Sequence, residues 1–229
     1  LKDLASGADG SVHPLLEVRD EVKTVGIILV TSDRGLCGSF NTNLIKMATH
    51  LAAAKRAEGK SVKFYCVGKK GRDAVRKLEY EIGLQYPDAM GSFDFTLANE
   101  IGMEIIASYL AGELDEVELI YGEFVSMARQ PAVTLKVLPI TSEGGEEAGP
   151  KAEYVYEPSV EGLLAELLPR FIKVQIYRGL LDTSASEHAA RMAAMDNATK
   201  ACDDLTKALT LLYNKTRQTS ITKELMDIV

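Results

Sequence analysis

The stretch VGIILVTSDRGLCGSFNTNL, residues 25–44, decides the fold. Residues 25–30 form an unbroken apolar run, the pattern of a strand buried on both faces. A helical period follows. Leu44, Ile45, Ala48, Leu51 and Ala52 recur at helical spacing within residues 41–58, and Gly59 stops the pattern. A doubly buried strand that runs through a glycine-bearing turn into an amphipathic helix opens an α/β unit.

The same alternation continues downstream. Residues 62–67 read as a second strand, and residues 69–78 as a short helix. Residues 96–112 form another helix, with Ile101, Ile105, Ala107 and Tyr109 as apolar surface. Residues 116–124 and 132–139 are further strands. Strands alternating with helices predict a Rossmann-like, mostly parallel sheet covered on both faces, placed at 25–157. Upstream, residues 1–24 are polar and broken by Gly7, Gly10 and Pro14. They read as the tail of an earlier element plus a linker, since no Met opens the chain. The acidic, glycine-containing stretch TSEGGEEAGPK within 141–157 reads as mobile, and YVYEP after it as a short exposed strand.

Residues 158–229 have a different character. From Ser159 onward Gly162 and Gly179 are the only glycines and Pro169 the only proline. The segment reads as one long helix, interrupted or kinked at Pro169 if anywhere. At ~1.5 Å per residue such a helix spans on the order of 100 Å, far beyond a globular helix. Ser184 and Glu187 fit a capping box, which leaves a break there open. Met195, Ala198, Cys202, Leu205, Leu209 and Leu212 follow a 3-4-3-4-3 spacing that Thr216 and Thr219 continue. This is the narrow seam of a coiled coil, and no second long helix in the chain supplies its partner.

Composition excludes several classes. Net charge is −7 and the pI about 5.1, so there is no global basic footprint for nucleic acid. No apolar run reaches the roughly 18 residues of a membrane span. Cys37, Cys66 and Cys202 show no CxxC spacing, and His13, His50 and His188 are isolated. Neither a disulfide framework nor a metal site is expected. The turn at 31–41 sits where open α/β sheets bind ligands, and Gly35 and Gly38 are placed to let amides approach a phosphate. Yet the pattern is neither GxGxxG nor a Walker loop. The structural reading is that Gly35 and Gly38 make a tight turn while Asp33 or Ser39 satisfies loop and helix-end amides. Ser32, Asp33 and Arg34 have no histidine nearby in sequence, and Cys37 has no evident catalytic partner. No cofactor and no small-molecule substrate are expected.

Near the C-terminus, Lys215, Arg217 and Lys223 lie in NKTRQTSITKE, where Glu224 is the first acid after Asp204. Two readings stand for this run: a solvated charged face, or a polar tip that touches several surfaces without gripping any.

Taken together, VGIILVTSDRGLCGSFNTNL, YVYEP, SEHAARMAAMDNATK and LYNKTRQTSITKELMDIV resemble, in order, motifs of the γ subunit family of F-type ATP synthases. The resemblance implies a further N-terminal helix that would pair antiparallel with the C-terminal one and supply the orphan seam. It implies a non-catalytic rotor shaft. Its foot would rest on the membrane c-ring with the ε subunit, and its shaft would enter a hexamer of α and β subunits at the cytoplasmic face of a bacterial inner membrane. Tyr154, Tyr156 and Glu157 match the family's ring-facing foot. Arg217, Gln218, Thr222 and Glu224, with Lys215, match the region that meets the catalytic β subunits. No cysteine-bearing insertion of the chloroplast type is present, so thiol switching is not expected. Two readings of other classes stand beside this one: an α/β nucleotide-binding enzyme with a helical dimerisation arm, and a homodimeric coiled-coil scaffold.

Overall fold

A computed structural model describes residues 13–19, 21–140 and 160–228. The expected foot segment, including Tyr154, Tyr156 and Glu157, and most of the expected linker lie outside the described residues. After a short 3-10 turn at Pro14–Leu16, the elements are β1 (Thr24–Val30), α1 (Phe40–Ala57), β2 (Ser61–Val67), α2 (Lys69–Lys77) and β3 (Glu81–Tyr86). They continue with α3 (Phe95–Leu110), β4 (Glu116–Gly122), β5 (Ala132–Leu138) and α4 (Val160–Met226). The five strands form one sheet in the order β3-β2-β1-β4-β5. All neighbours are parallel except β4 and β5, which form an antiparallel hairpin. The sheet is therefore mostly parallel, as the alternation of elements requires.

Strand β3 escaped the sequence reading. It is an edge strand with half-buried Ile82, Leu84 and Tyr86 alternating with exposed Glu81, Gly83 and Gln85. Its apolar signal is therefore half that of a central strand. By contrast, every residue of β4 is buried.

Side chains of β1 leave the sheet alternately, and so define two cores. Val25, Ile27 and Leu29 pack with Phe40, Leu44, Ala48 and Ala52 of α1 and Val75 of α2. Ile28 and Val30 face the other way, toward α3 and α4. The first half of α4 is a full layer of this domain. Leu164, Leu168, Ile172, Ile176 and Leu180 are all 0 % exposed, at steps of four residues. Each contributes roughly 1.5–3 kcal/mol by removing apolar surface from water.

Small residues let α4 lie close to its neighbours. A Cβ on Gly179 would meet Leu119 Cδ2 at 2.8 Å, and one on Gly102 of α3 would meet Lys173 Cγ at 2.6 Å. The helix is continuous through Pro169. Proline removes the hydrogen bond to the carbonyl four residues earlier, here that of Ala165, which is exposed and so open to water. It is also continuous through Ser184 and Glu187: Glu187 binds Arg191 on the next turn instead of capping.

Two buried polar assemblies pin the sheet. Arg19 donates to Asp115 Oδ1 and to the carbonyls of Leu114 (3.0 Å) and Tyr109 (2.6 Å), and its guanidinium lies 4.8 Å from the Tyr109 ring centroid. Asp115 Oδ2 accepts from the amides of Lys23 (2.8 Å) and Thr24 (2.9 Å), fixing the entry to β1. On the opposite face, Lys55 of α1 reaches Glu116 at 2.8 Å and Glu118 at 3.1 Å, and Lys136 reaches Glu116 at 3.2 Å. Burial pushes the Glu116 carboxyl up. Hydrogen bonds and charge from Lys55, then Lys136, outweigh this and hold it below the ordinary carboxylate value of 4.5. Burial likewise pushes the Asp115 carboxyl up, and its bonds to Arg19 and the two amides bring it below 3.8.

Both depressed values imply stability that is present above the unfolded carboxylate range and lost as pH falls through the lower folded values. Urea midpoints are therefore expected to fall as acid is added below pH 4.5, the ordinary value for Glu116. A Glu116→Gln variant, less stable at pH 7, should show a shallower acid slope; an unchanged slope removes the cluster from the acid response. Packing gives a second expectation. Ile176→Ala should lower unfolding free energy by about 3 kcal/mol. Leu209→Ala, on the projecting half of the same helix, should change it by no more than about 0.5 kcal/mol. Equal losses in urea titrations of the two variants would contradict the layer assignment.

Candidate functional site

In a sheet of order β3-β2-β1-β4-β5, the chain reverses its winding between β1 and β4. The crevice at the carboxyl ends of those two strands is where α/β folds hold ligands. Here α4 occupies that position. Gly122 ends β4; its amide donates to Thr183 Oγ1 at 3.2 Å, and its carbonyl accepts from Ser186 Oγ at 3.1 Å. Thr183 and Ser186 are completely buried. A Cβ on Gly122 would sit 2.5 Å from the Phe40 ring and 3.4 Å from Ser186 Cβ. Helix, glycine and ring leave no room between them.

The turn after β1 is closed on itself. Asp33 accepts from the amides of Lys69 (2.8 Å), Asp88 (2.9 Å) and Met90 (2.8 Å), tying together the loops that follow β1, β2 and β3. Asn41 Oδ1 accepts from the Ser32 amide at 3.0 Å, and its Nδ2 donates to Ser32 Oγ at 2.7 Å. Ser39 makes no side-chain cap to α1. Gly38 has φ +58°, and a side chain at Gly35 would meet open space. Between them Leu36 takes φ 64°, costly for a branched-chain residue, and is 75 % exposed.

A cleft of about 280 Å³ remains between this turn and α4, lined by Ser32, Arg34, Asp88, His188 and neighbours. Of its two arginines, Arg34 and Arg191, the second is paired with Glu187 and donates to the Gly35 carbonyl at 3.4 Å. Asp33, Asp88 and Glu187 face the same space, an arrangement that disfavours a phosphate. Cys37 is buried, and Asn41 Nδ2 lies 3.1 Å from its Sγ. Burial pushes the Cys66 thiol up to about 12, far from a reactive thiolate. Among the described residues no group of three His, Cys, Asp or Glu side chains could hold a metal ion. No described helix is long and apolar enough to cross a membrane.

The other candidate surface is the far half of α4. Beyond Arg191 almost every side chain is exposed to the end of the helix. These 35 or so residues extend about 50 Å from the domain. The seam is bare: Met195 is 39 % exposed, Leu205 60 %, Leu209 55 % and Leu212 59 %. Leu211, Tyr213, Ile221 and Leu225 are exposed as well. At about 100° per residue they point to sides other than the seam. Apolar residues on all sides suit a helix enclosed by several surfaces better than one paired in a simple two-stranded coil.

Threonines soften this surface. Thr216 Oγ1 donates to the Leu212 carbonyl, and Thr219 and Thr222 likewise to Lys215 and Gln218, each at 2.9 Å. Their hydroxyls are satisfied within the helix. Helical geometry groups Lys215, Gln218 and Thr222 on one flank of the seam and Arg217 with Glu224 on the other. All five are exposed; Glu224 accepts from Ser220 at 3.4 Å. Sequence reasoning did not find the Thr183–Gly122–Ser186 contact or Arg191. The one available signal was the run of small residues at Gly179, Thr183 and Ser186.

The family model described as ATP synthase matches residues 1–229. The ATP synthase gamma chain of Nitratidesulfovibrio vulgaris strain Hildenborough is 72 % identical over the whole of this chain, which covers 79 % of that protein. That of Maridesulfovibrio salexigens is 68 % identical, again over the whole chain and 80 % of the relative. Among solved structures, a chain of the Euglena gracilis mitochondrial ATP synthase rotor matches with a TM-score of 0.68 at 18 % identity, covering 94 % of this chain and 85 % of that one. A chain of the central stalk and c-ring of the Tetrahymena thermophila mitochondrial enzyme matches with a TM-score of 0.64 at 24 % identity, covering 86 % and 85 %. At these identities the two structures speak for the fold alone, and the bacterial relatives speak for the family. This chain belongs to the ATP synthase gamma chain family.

Proposed function

We propose that this chain is the central-stalk rotor subunit of an F-type ATP synthase, which carries rotation of the membrane c-ring to the catalytic head during ATP synthesis or ATP-driven ion pumping. The observation that carries the reading is a single helix with two environments. Its first half is a buried layer of an α/β domain, and its second half stands bare with apolar residues on several sides. A body of this shape receives torque at the domain and delivers it at the tip.

In this reading the chain performs no chemistry. Thr183, Ser186 and Phe40 occupy the part of the crevice beside Gly122, where an α/β enzyme would bind nucleotide. Turnover belongs to the partner α and β subunits, and the bare seam pairs with a further helix of the same subunit. The tip residues Lys215, Arg217, Gln218, Thr222 and Glu224 meet the catalytic β subunits. Tyr154, Tyr156 and Glu157 face the c-ring beside the ε subunit, so the chain is peripheral at the cytoplasmic face of the inner membrane.

Rotation requires contacts that form and break. Exposed charge pairs are worth about 0–1 kcal/mol each. The arginine fork offers five donors for transient carboxylate or carbonyl contacts. A contact made in one rotary state and absent in the next shifts the balance of states in the partner. A difference of about 1.4 kcal/mol changes a rate tenfold.

Co-purification with α and β subunits tests the assignment directly; a chain that forms only homodimers would replace it with the scaffold reading. Arg217→Ala combined with Gln218→Ala should lower ATP turnover or torque of the assembled complex several-fold and leave the α/β domain folded. Assembly with parental turnover would reduce these side chains to a solvated face. Calorimetric titration of the chain alone with ATP and with ADP should show no binding site. A micromolar site that disappears on substituting Gly35 and Gly38 would favour the nucleotide-binding enzyme instead.

A further inference from the structure

The hairpin between β4 and β5 carries an apolar tip. Phe124, Val125 and Met127 are 40 %, 52 % and 47 % exposed, three large apolar side chains within four residues. Such a tip on an ordinary loop would be free to fold back. Here its backbone is held. Ser126 and Arg129 exchange two backbone hydrogen bonds of 3.1 Å, and the Glu123 amide donates to the Pro131 carbonyl at 2.9 Å. Gln130 Nε2 donates to the carbonyls of Ser126 (2.7 Å) and Met127 (2.6 Å), closing the tip from inside. Arg129 is exposed and has no ion-pair partner among the described residues. An ordered apolar knob beside an unpaired guanidinium fits a surface of apolar character carrying a carboxylate.

The location of the hairpin narrows the choice of partner. Its base, Gly122, is the residue that Thr183 and Ser186 grip. Along α4, Gly179 packs on Leu119, Thr183 and Ser186 bind Gly122, and Arg191 reaches Gly35 beyond β1. The helix therefore advances toward the carboxyl ends of β1 and β4 and leaves the domain there. The hairpin stands at the root of the projecting half, at the end from which the shaft departs.

We propose that the tip formed by Phe124, Val125, Met127 and Arg129 is a second docking point on the catalytic head, seated against the rim of the α and β subunits around the shaft root. The proposal rests on the rotor reading above and extends it from the shaft tip to its base. Because the hairpin is bonded to α4 through Gly122, a load on the tip passes directly to the root of the shaft.

The test uses the complete complex containing this chain, with a photoreactive p-benzoylphenylalanine at position 125, or at position 211, on a side of the shaft away from the seam, as the control. The expected product at position 125 is a cross-link to an α or β subunit. Phe124→Ser combined with Met127→Ser is expected to lower ATP hydrolysis by the head about three- to tenfold. The melting temperature of the isolated chain should be unchanged. Cross-links from position 125 only to ring-side subunits, or none at all, while position 211 links to the head, overturn this proposal and leave the rotor reading intact. Failure of both positions to link to α or β overturns the rotor reading and the docking point with it. Parental hydrolysis in a doubly substituted complex also overturns the proposal, since the knob would then carry no load.

Discussion

The packing of the first half of α4 against the sheet is the constraint on which the rest of this molecule depends. Leu164, Leu168, Ile172, Ile176 and Leu180 are withdrawn from water entirely, and Gly179 allows the helix to approach Leu119. A helix with an exposed tail of about 50 Å has no tertiary packing to support that tail. Its direction is set where it is clamped. The clamp has an apolar part, which supplies most of the free energy, and a polar part, which supplies register. Thr183 and Ser186 bind both backbone groups of one residue, Gly122, and sliding the helix by one residue would leave these buried groups without partners. The Arg191 bonds to Glu187 and Gly35 add a last fixed point before the helix leaves the domain.

The same clamp accounts for an α/β domain whose ligand crevice is reduced to a cleft of about 280 Å³. The reversal of strand order between β1 and β4 opens a cleft in any sheet of this winding. Nothing in the strands prevents that, and the turn after β1 even carries glycines. The cleft is narrowed because the chain returns through it. Asp33 completes the change by turning its carboxylate on three amides, one after β2 and two in the loop after β3. A residue that reads in sequence as a possible catalytic acid is thus a knot joining three loops.

How much of this was legible in the sequence follows from where the signal is local. The unbroken apolar run of β1 and the helical period of α1 are visible within a few residues, because both faces of that strand and one face of that helix are buried. The exposed seam from Met195 to Leu212 was legible for the opposite reason, since a regular apolar stripe survives whether or not its partner is present. Edge strand β3 was missed because only Ile82, Leu84 and Tyr86 turn inward. The role of the first half of α4 as a sheet layer was also missed. Its steps of four residues read equally well as part of a long coiled coil, and only the arrival of Leu119 and Tyr121 from another element separates the two. Thr183 and Ser186 carry no local sign of purpose, because the group they satisfy lies about sixty residues away in the chain. At the tip, composition showed a polar end but not the grouping of Lys215 and Gln218 apart from Arg217 and Glu224.

The two halves of α4 illustrate how one helix is given opposite tasks by the depth of its contacts. A buried aliphatic side chain contributes roughly 1.5–3 kcal/mol, and a row of five makes a joint that thermal motion does not open. The tip offers exposed charges and amides, each worth about 1 kcal/mol or less, on more than one side of the helix. Between them, Thr216 and Thr219 occupy seam positions where Leu205, Leu209 and Leu212 stand earlier, with hydroxyls turned back onto the helix carbonyls. Apolar grip along the seam therefore declines after Leu212, at Thr216 and Thr219. A joint that must never slip lies at one end, and contacts weak enough to exchange lie at the other. The gradient between them follows from which side chains the sequence places along a single continuous helix.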